Sequence, residues 1–237
     1  VGLIRDGELV ESVKVGDKVE MVTAVANFYV ESGGEVSDNR QIVGLNGTSI
    51  FRVNDTRKPL NGLVVQVGEV VRGEFSLNQP VRLQVDDARR SDIRRNHTAT
   101  HILHQELRDR LGTHVTQAGS LVAPDRLRFD FTHDHGVDHT TLAEIEGKIN
   151  DAILANYPVA IEYMGQKEAI GQGAMALFGE KYGEIVRTVQ IGYEGERPYS
   201  FELCGGLHVS ETNDIGLFRF ISEGAVSAGV RRVEAVT

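Results

Sequence analysis

The stretch "DDARRSDIRRNHTATHILHQELRDRLG" (residues 86–112) separates two kinds of sequence pattern and decides the fold. Its apolar side chains recur at the spacing of one helix face. They are Ile93, Ala99, Leu103, Leu107 and Leu111. Gly112 suits the C-terminal end of a helix, because glycine adopts the left-handed backbone there without steric cost. We therefore predict one long helix that ends at Gly112.

Two histidines of this helix are spaced for a common ligand. His97 and His101 lie four residues apart and share one face, so their imidazoles can point at one metal ion. His104 lies about 60° around the face from His101, on the apolar stripe, and we place it outside the ligand set. A histidine pair alone fits a structural role equally well.

A second pair stands in "ELCGGLH" (202–208), where Cys204 and His208 are separated by three residues, two of them glycine. Three imidazoles and one thiolate form a donor set that suits zinc, whereas calcium and magnesium prefer oxygen. The protease signature H-E-x-x-H is excluded because residue 98 is threonine. A Cys204 nucleophile with His208 as its base remains an alternative, although it leaves the helix pair without a role.

Composition limits the classes of function. The formal net charge of −9 argues against nonspecific binding to nucleic acid, which needs a broad basic surface. The chain has one cysteine, so we expect a reducing compartment, the cytoplasm. Its first residues, "VGLIRDGELV", contain no initiator methionine, signal peptide or membrane span, and we expect a piece of a longer protein.

Before the long helix the pattern is that of short β-strands. Stretches rich in Val and Ile alternate with Gly, Asn and Pro, and we expect them to form a small closed or sandwiched β unit. They are "KVEMVTAVA" (18–26), "SIFRVND" (49–55), "GLVVQVGEVV" (62–71) and "PVRLQVD" (80–86). The change of pattern near Asp86 predicts a domain boundary there.

After the long helix the pattern is mixed. We predict a hairpin, "HVTQAGSLV" and "RLRFDF" joined by "APD", and then a second helix that begins at Thr140 or Thr141 as its cap and ends at Pro158. Further strands are predicted at four places. They are "VAIEYM", "EIVRTVQIG", "LFRFIS" and "VRRVEAV". The chain is thus predicted to hold a β domain followed by an α+β domain.

Six stretches, taken with the two metal-ligand pairs, form a specific series. They are "FYVESGGEVSDN" (28–39), "RRNHTATHILH" (94–104), "GTHVTQAGSLV" (112–122), "GAMALFGEKYG" (173–183), "ELCGGLHVSETNDIGLFRFISE" (202–223) and "AGVRRVEAVT" (228–237). In this order they resemble the editing domain of alanyl-tRNA synthetase and its stand-alone relatives, which hydrolyse mischarged alanine tRNA. The resemblance covers nearly the whole chain.

The resemblance implies a small N-terminal β-barrel (residues 1–86) followed by a two-layer α+β editing domain (residues 87–237). It implies zinc held by four residues. These are His97, His101, Cys204 and His208. The implied activity is hydrolysis of the ester that joins serine or glycine to the 3′ end of alanine tRNA. The aminoacylation domain and the C-terminal domain of the family are absent from this sequence.

Editing answers a physical need, because a pocket for alanine cannot exclude glycine and rejects an added hydroxyl by only about a hundredfold. Candidates to recognise the serine hydroxyl are Gln117 first, then Thr100 and Ser120; the resemblance places the glutamine in the editing pocket. Contacts with the tRNA are expected from five residues. They are Lys181, Arg231, Arg232, Gly33 and Gly34. We expect His133, His135 and His139 to be solvated rather than to form a second metal site.

Three positions depart from the family. Leu207 stands where the family usually has Thr, while Glu35 and Ser37 stand where it commonly has Gln and Gly. The lost hydroxyl beside the metal affects any hydrogen bond that the threonine makes. Two alternatives stay open: an editing domain of the threonyl-tRNA synthetase type, and a noncatalytic tRNA-binding module that zinc merely stabilises.

Overall fold

The structure is a computed structural model that describes residues 1–60, 62–176, 182–194 and 197–237. Its described part combines antiparallel sheets with helices, which confirms the α+β class. The chain divides into two compact units, one of residues 1–32 and 36–90 and the other of residues 33–35 and 91–237. The predicted boundary at residues 86 and 87, as a limit between independently folding domains, stays a prediction.

The first unit consists of β-strands. They are β1 (Gly2–Arg5), β2 (Glu8–Leu9), β3 (Ser12–Lys14), β4 (Lys18–Val22), β5 (Arg40–Gly44), β6 (Ile50–Leu60), β7 (Leu63–Arg72), β8 (Glu74–Ser76) and β9 (Val81–Val85). Seven form one sheet in the order β2-β1-β4-β7-β6-β5-β9, and β3 pairs with β8. Among the described strands no ladder joins β2 to β9, so closure into a barrel stays a prediction.

Alternation along the strands places one face of this sheet in a core. On β6, Phe51 and Val53 are buried while Arg52 between them is exposed, which is the period of two expected for a half-buried strand. Phe51 packs with Met21 and Phe75, all fully buried. Burying a side chain of this size contributes about 1.5–3 kcal/mol. The unit therefore has a core of its own.

The remaining described elements include three α-helices. They are α1 (Asp87–Leu111), β10 (Gln117–Val122), β11 (Leu127–Thr132), α2 (His139–Leu154), β12 (Val159–Gly165), α3 (Gln166–Gly171), β13 (Ile185–Glu194), β14 (Arg197–Leu203), β15 (Arg219–Ser227) and β16 (Val230–Val236). The sheets run β10-β11-β16-β15 and β12-β13-β14, with every neighbouring pair antiparallel. No helix in the described part of the chain is long and apolar enough to cross a membrane.

The core of the second unit lies between the helices and the four-stranded sheet. Leu103 and Leu107 of α1, Ile149 of α2, and Phe129 and Phe131 of β11 are fully buried in one cluster. The apolar stripe predicted for α1 is therefore the face that packs. Because this packing fixes the rotation of α1 about its axis, it also fixes where the helix histidines point.

Two predictions about secondary structure are wrong. The cap of α2 is Asp138 rather than Thr140 or Thr141, because its carboxylate accepts a hydrogen bond from the Thr141 backbone N–H at 2.9 Å. The helix also ends at Leu154, before Pro158. Strand β14 was missed altogether; Pro198 near its start argues against a strand in the sequence pattern.

Candidate metal centre

Helix α1 supplies two side chains to a buried polar group. His97 and His101 are 7% and 3% exposed, on the same helix face. Leu103 and Leu107, two and six residues after His101 on the same helix, belong to the apolar core of the unit, whereas the two histidines do not. The same packing that buries the leucines therefore places the two imidazoles inside the protein, away from water.

The other two side chains follow β14 directly. Cys204 comes after the last residue of that strand, and its backbone is held on both sides by Arg187: the Cys204 N–H donates to the Arg187 carbonyl at 3.1 Å, and the Arg187 guanidinium donates to the Cys204 carbonyl at 2.7 Å. His208 follows on the loop and is buried. The position of the thiol is thus set by a sheet edge rather than by a loose loop.

The four side chains converge. One ligand atom from each of His97, His101, Cys204 and His208 lies within 4.8 Å of the others, and we call this group the metal cluster. Cys204 Sγ is 3.4 Å from Nε2 of both His97 and His208. A tetrahedral zinc ion with bonds of 2.0–2.3 Å needs donor separations of about 3.3–3.8 Å. The cluster could therefore hold a metal ion with little movement.

Glycine is required at one position of "CGGLH". A Cβ on Gly206 would lie well inside van der Waals contact with the His97 ring and with Glu35, whereas a Cβ on Gly205 would meet nothing within 4 Å. The Gly206 N–H also points at Cys204 Sγ, at 3.4 Å. The second glycine thus allows the loop to pass over the imidazole and donate to the sulfur.

Each histidine of the metal cluster has an oxygen atom near its other ring nitrogen, by hydrogen bond for His97 and His208 and at ion-pair distance only for His101. His97 Nδ1 contacts the Glu35 carboxylate, and His208 Nδ1 lies 3.1 Å from the Thr98 hydroxyl. His101 Nδ1 lies 3.3 Å from Glu202 Oε2. Partners of this kind fix the tautomer and ring orientation and make the free nitrogen a better ligand. For His97 and His208 the free nitrogen is Nε2, which faces the sulfur.

Two buried carboxylates are part of this arrangement, and they use their oxygens differently. Glu202 uses both, with Oε1 2.9 Å from His104 Nδ1 and Oε2 facing His101. Glu35 uses Oε2 alone, for His97 and for the Leu207 backbone N–H at 2.8 Å, while its buried Oε1 has no partner in the described structure. His104 thus lies outside the metal cluster, as expected, and forms a hydrogen bond with the Glu202 carboxylate.

The electrostatics favour a thiolate. Burial alone raises the pKa of the Cys204 thiol, but the positive charges of His97, His101 and His208 outweigh burial and hold that pKa well below its usual value. Similarly, burial opposes ionisation of Glu202, while His101 and His104 lower its pKa. The thiolate is the form of cysteine that binds a metal.

The residues expected to recognise the substrate hydroxyl lie at three places. Thr100 is buried on α1, where its hydroxyl donates to the Asn96 carbonyl at 2.8 Å. Gln117 is the first residue of β10, half-buried, and its amide has no hydrogen-bond partner within the described ranges. Ser120 is half-buried three residues further along. Their contact with a substrate stays a prediction.

The segment 33–35 belongs to the second unit because it pairs with β10. The Gly34 carbonyl accepts a 2.7 Å hydrogen bond from the Val122 N–H, and a Cβ on Gly34 would lie 2.5 Å from the Ser120 carbonyl oxygen. Gly33 and Gly34 both have positive φ, 59° and 87°. These glycines carry Glu35 to the metal cluster, a role that the sequence did not suggest; their contact with tRNA stays a prediction.

The basic residues expected at the tRNA are in ion pairs where they are described. Arg231 pairs with Glu223, and Arg232 binds both oxygens of Asp130 at 2.7 Å each. Lys181 lies outside the described residues. Contact of these three with nucleic acid therefore stays a prediction.

A second group of histidines lies at the surface. His114 Nε2 is 2.9 Å from His133 Nδ1, and the ring of His135 lies 6.4 Å from that of His133; we call these three the surface histidines. His135 is exposed, and so is His139 at the start of α2. His135 and His139 thus have the solvated positions expected for them, whereas His133 is half-buried beside His114.

Three residues of the centre were missed from the sequence. In the sequence, Thr98 serves only to exclude the protease signature, Glu35 is only a departure from a family, and Glu202 has no role that its spacing predicts. Their partners lie 62 or more residues away along the chain, so no spacing rule connects them. The one available signal was the position of Glu202 two residues before the cysteine.

The comparisons with known proteins agree with this site. Residues 186–234 match the family of the threonyl and alanyl tRNA synthetase second additional domain, which contains Cys204 and His208. Over its whole length the chain is similar to alanine–tRNA ligases. It is 51% identical over 240 residues to that of Chelativorans sp. (strain BNC1), covering 99% of this chain and 27% of the relative.

A second relative, the alanine–tRNA ligase of Chloroflexus aurantiacus, is 48% identical over 244 residues, covering 100% of this chain and 27% of the relative. The chain thus spans about a quarter of the length of the curated relatives it matches. These similarities confirm the resemblance to the editing part of alanyl-tRNA synthetase.

Proposed function

We propose that this chain is a zinc-dependent hydrolase that removes serine or glycine esterified to the 3′ end of alanine tRNA, as the editing part of an alanyl-tRNA synthetase of the cytoplasm. The observation that carries the proposal is the buried metal cluster in a chain that is similar throughout to alanine–tRNA ligases. The similarity over the whole chain favours this proposal over an editing domain of the threonyl type. The tRNA acceptor end is the proposed partner.

The donor set fits zinc, since three imidazoles and one thiolate are borderline-soft ligands. Zinc bound there would supply a Lewis acid that lowers the pKa of a water or holds the amino group of the substrate. The chain's own residues set the conditions: Glu35, Thr98 and Glu202 orient the imidazoles, and burial of the group excludes bulk water.

In this proposal, polar side chains distinguish serine from alanine by hydrogen bonding to the serine hydroxyl. Gln117 is the first candidate, because a half-buried amide without a partner can bond to a serine hydroxyl that alanine lacks. Leaving such a group unpaired beside alanine costs about 1–3 kcal/mol. Thr100 and Ser120 are further candidates for this contact. The tRNA itself is assigned to Lys181, Arg231, Arg232 and the backbone of Gly33 and Gly34.

The direct test uses alanine tRNA charged with serine, glycine or alanine. We expect release of serine and glycine but not alanine, loss of release in Cys204→Ala, and increased release of alanine or reduced release of serine in Gln117→Ala. Hydrolysis that survives Cys204→Ala contradicts the zinc-dependent proposal. Equal rates on serine and alanine contradict the editing role.

One observation favours a second candidate: four protein ligands fill a tetrahedron, as structural zinc sites do. In that case the metal stabilises a noncatalytic tRNA-binding module. Removal of the metal with a chelator separates the two. If hydrolysis is lost while circular dichroism shows a folded chain, catalysis is favoured; if the chain unfolds and the metal-bound chain shows no hydrolysis, the structural role is favoured.

A further inference from the structure

A polar pocket lies directly beside the metal centre. Its volume is about 270 Å³, and the cluster residue His208 forms part of its wall together with Ser210 and the first turns of α1. Pockets that enclose whole small molecules have volumes of about 300–1,000 Å³. The pocket therefore suits one charged or polar group of a larger ligand rather than an entire nucleotide.

The pocket contains an arginine that is not in an ion pair. Arg94 lines it, and within the described ranges its guanidinium has no acidic partner, while its buried Nε has no hydrogen-bond partner. The neighbouring Arg95, which also lines the pocket, pairs with Asp92. A buried guanidinium donor without an acceptor is costly, so it marks a place where an acceptor is expected on binding.

Arg94 combines three features: no described ion pair, a buried Nε without a partner, and a place in a pocket. In a chain of net charge −9, many other arginines are in ion pairs. These include Arg5, Arg52, Arg57, Arg90, Arg95, Arg110, Arg126, Arg231 and Arg232. An arginine left without a carboxylate, in a pocket, next to a candidate catalytic centre, is free to bind an anionic ligand.

The position of Arg94 on α1 ties it to the metal. It lies three residues before His97 and four before Thr98, on the neighbouring turn of the same face, where Cβ atoms are about 5–6 Å apart. The Thr98 hydroxyl donates to the Arg94 carbonyl at 3.0 Å and can accept a hydrogen bond from His208 Nδ1 at 3.1 Å. Arg94 and two of the four metal-cluster residues, His97 and His101, therefore lie on the same helix.

We propose that this pocket is a phosphate subsite, in which Arg94 binds the phosphate on the 5′ side of the nucleoside that carries the aminoacyl ester. The inference rests on the proposed function. If the ester lies at the metal centre, the phosphate attached to the same ribose lies within one nucleotide of it. The anionic groups of an aminoacyl-tRNA are its phosphates, and the planar guanidinium is well suited to a phosphate group.

Asp214 limits the strength of this subsite. Its side chain is exposed and also lines the pocket, so its negative charge opposes a phosphate. This gives the subsite a second, opposite test. Asp214→Asn removes the repulsion, and we expect tighter binding of a phosphate-bearing ligand with no change for a ligand without phosphate.

The experiment compares two small substrates that differ by one phosphate: serine esterified to the 3′-hydroxyl of adenosine, and the same ester of adenosine 5′-monophosphate. We expect kcat/KM of the intact chain to be about tenfold higher for the phosphate-bearing ester, as one charge-assisted contact predicts. In Arg94→Gln this ratio falls to about one, and Arg94→Lys restores part of it. Arg126→Gln is the matched control, because Arg126 pairs with Asp125 outside the pocket.

A ratio in Arg94→Gln equal to that of the unmodified chain overturns the subsite. Binding of the unreactive ligands, adenosine 5′-monophosphate and adenosine, is measured in parallel by calorimetry. If the chain hydrolyses neither ester but binds the monophosphate in a manner that depends on Arg94, the proposed hydrolase function fails and the subsite stands. If neither Arg94 nor the phosphate affects binding or hydrolysis, the subsite fails alone. Metal content and circular dichroism of each variant exclude misfolding as the cause.

Discussion

The metal cluster and the surface histidines contain the same residue type in very different surroundings. In the metal cluster each imidazole is buried, faces a thiol, and has an oxygen partner near its second nitrogen. Among the surface histidines, His114 and His133 bond to each other at 2.9 Å, and no cysteine or buried carboxylate is described beside them. A metal site is thus defined by burial, a thiolate and orienting partners rather than by the number of histidines.

The two groups of histidines also differ in the charged groups that surround them. Around the metal cluster, two buried carboxylates and the Cys204 thiolate lie beside the imidazoles, and the histidines lower the pKa of both Glu202 and Cys204. At the surface, burial and the nearby charges of His114, His135 and Arg231 lower the pKa of His133, while Asp134 opposes them. The first group is therefore expected to bind a cation, whereas in the second the pKa of His133 is lowered and its proton is lost more readily.

The largest effect is expected from Cys204→Ala. Loss of the thiolate removes a ligand, and we expect zinc affinity to fall by more than about 100-fold, since loss of an outer-shell partner alone costs about 10–100-fold. His133→Ala is the matched control and should bind zinc as the unmodified chain does. Competition with a chromogenic chelator measures both. Equal affinities of the two variants contradict the assignment of the metal to the buried cluster.

The next largest effect separates the two buried carboxylates. Glu202→Gln should lower zinc affinity by about 10–100-fold, because Oε1 bonds to His104 while Oε2 faces His101, and an amide NH₂ cannot replace one of these oxygens. Glu35→Gln should have a smaller effect, since one amide oxygen can still serve both His97 and the Leu207 N–H. The same competition measures this. A larger loss in Glu35→Gln than in Glu202→Gln contradicts the account.

A pair of adjacent glycines tests the packing of the loop. Gly206→Ala should destabilise the chain by about 1–3 kcal/mol and weaken zinc binding, because the new methyl group overlaps the His97 ring. Gly205→Ala should leave zinc binding unchanged, as the methyl group enters open space. Denaturant unfolding and zinc titration of both variants check this. Equal behaviour of the two shows that the loop does not pass over the imidazole as described.

The smallest effect concerns the surface histidines and pH. Since the folded pKa of His133 is lowered, the unfolded chain binds the proton more readily, and its contribution to stability is lost as pH falls below about 6.5. His133→Asn should therefore flatten the decline of Tm between about pH 7.5 and 5.5. His139→Asn, at the exposed start of α2, is the control. A decline as steep as in the unmodified chain contradicts this description.

Most of the fold was readable from the sequence because its signals are local. The apolar stripe of α1 and the hairpin of β10 and β11 match the predicted bounds closely. The four metal-cluster residues were also readable, since two short spacings expose them. Glu35, Thr98 and Glu202 were not, because their roles depend on contacts across 62, 110 and 98 residues. Strand β14, which carries Glu202, was not predicted because Pro198 near its start argues against a strand.

The central claim is that the chain holds one zinc ion through three imidazoles and one thiolate. X-ray absorption at the zinc edge on the purified chain, together with the zinc content per chain, tests it most directly. The account predicts one zinc with a single sulfur at about 2.3 Å and three nitrogens at about 2.0–2.1 Å. Zinc bound without a sulfur ligand, or a chain that binds no zinc at an equimolar concentration, would contradict it.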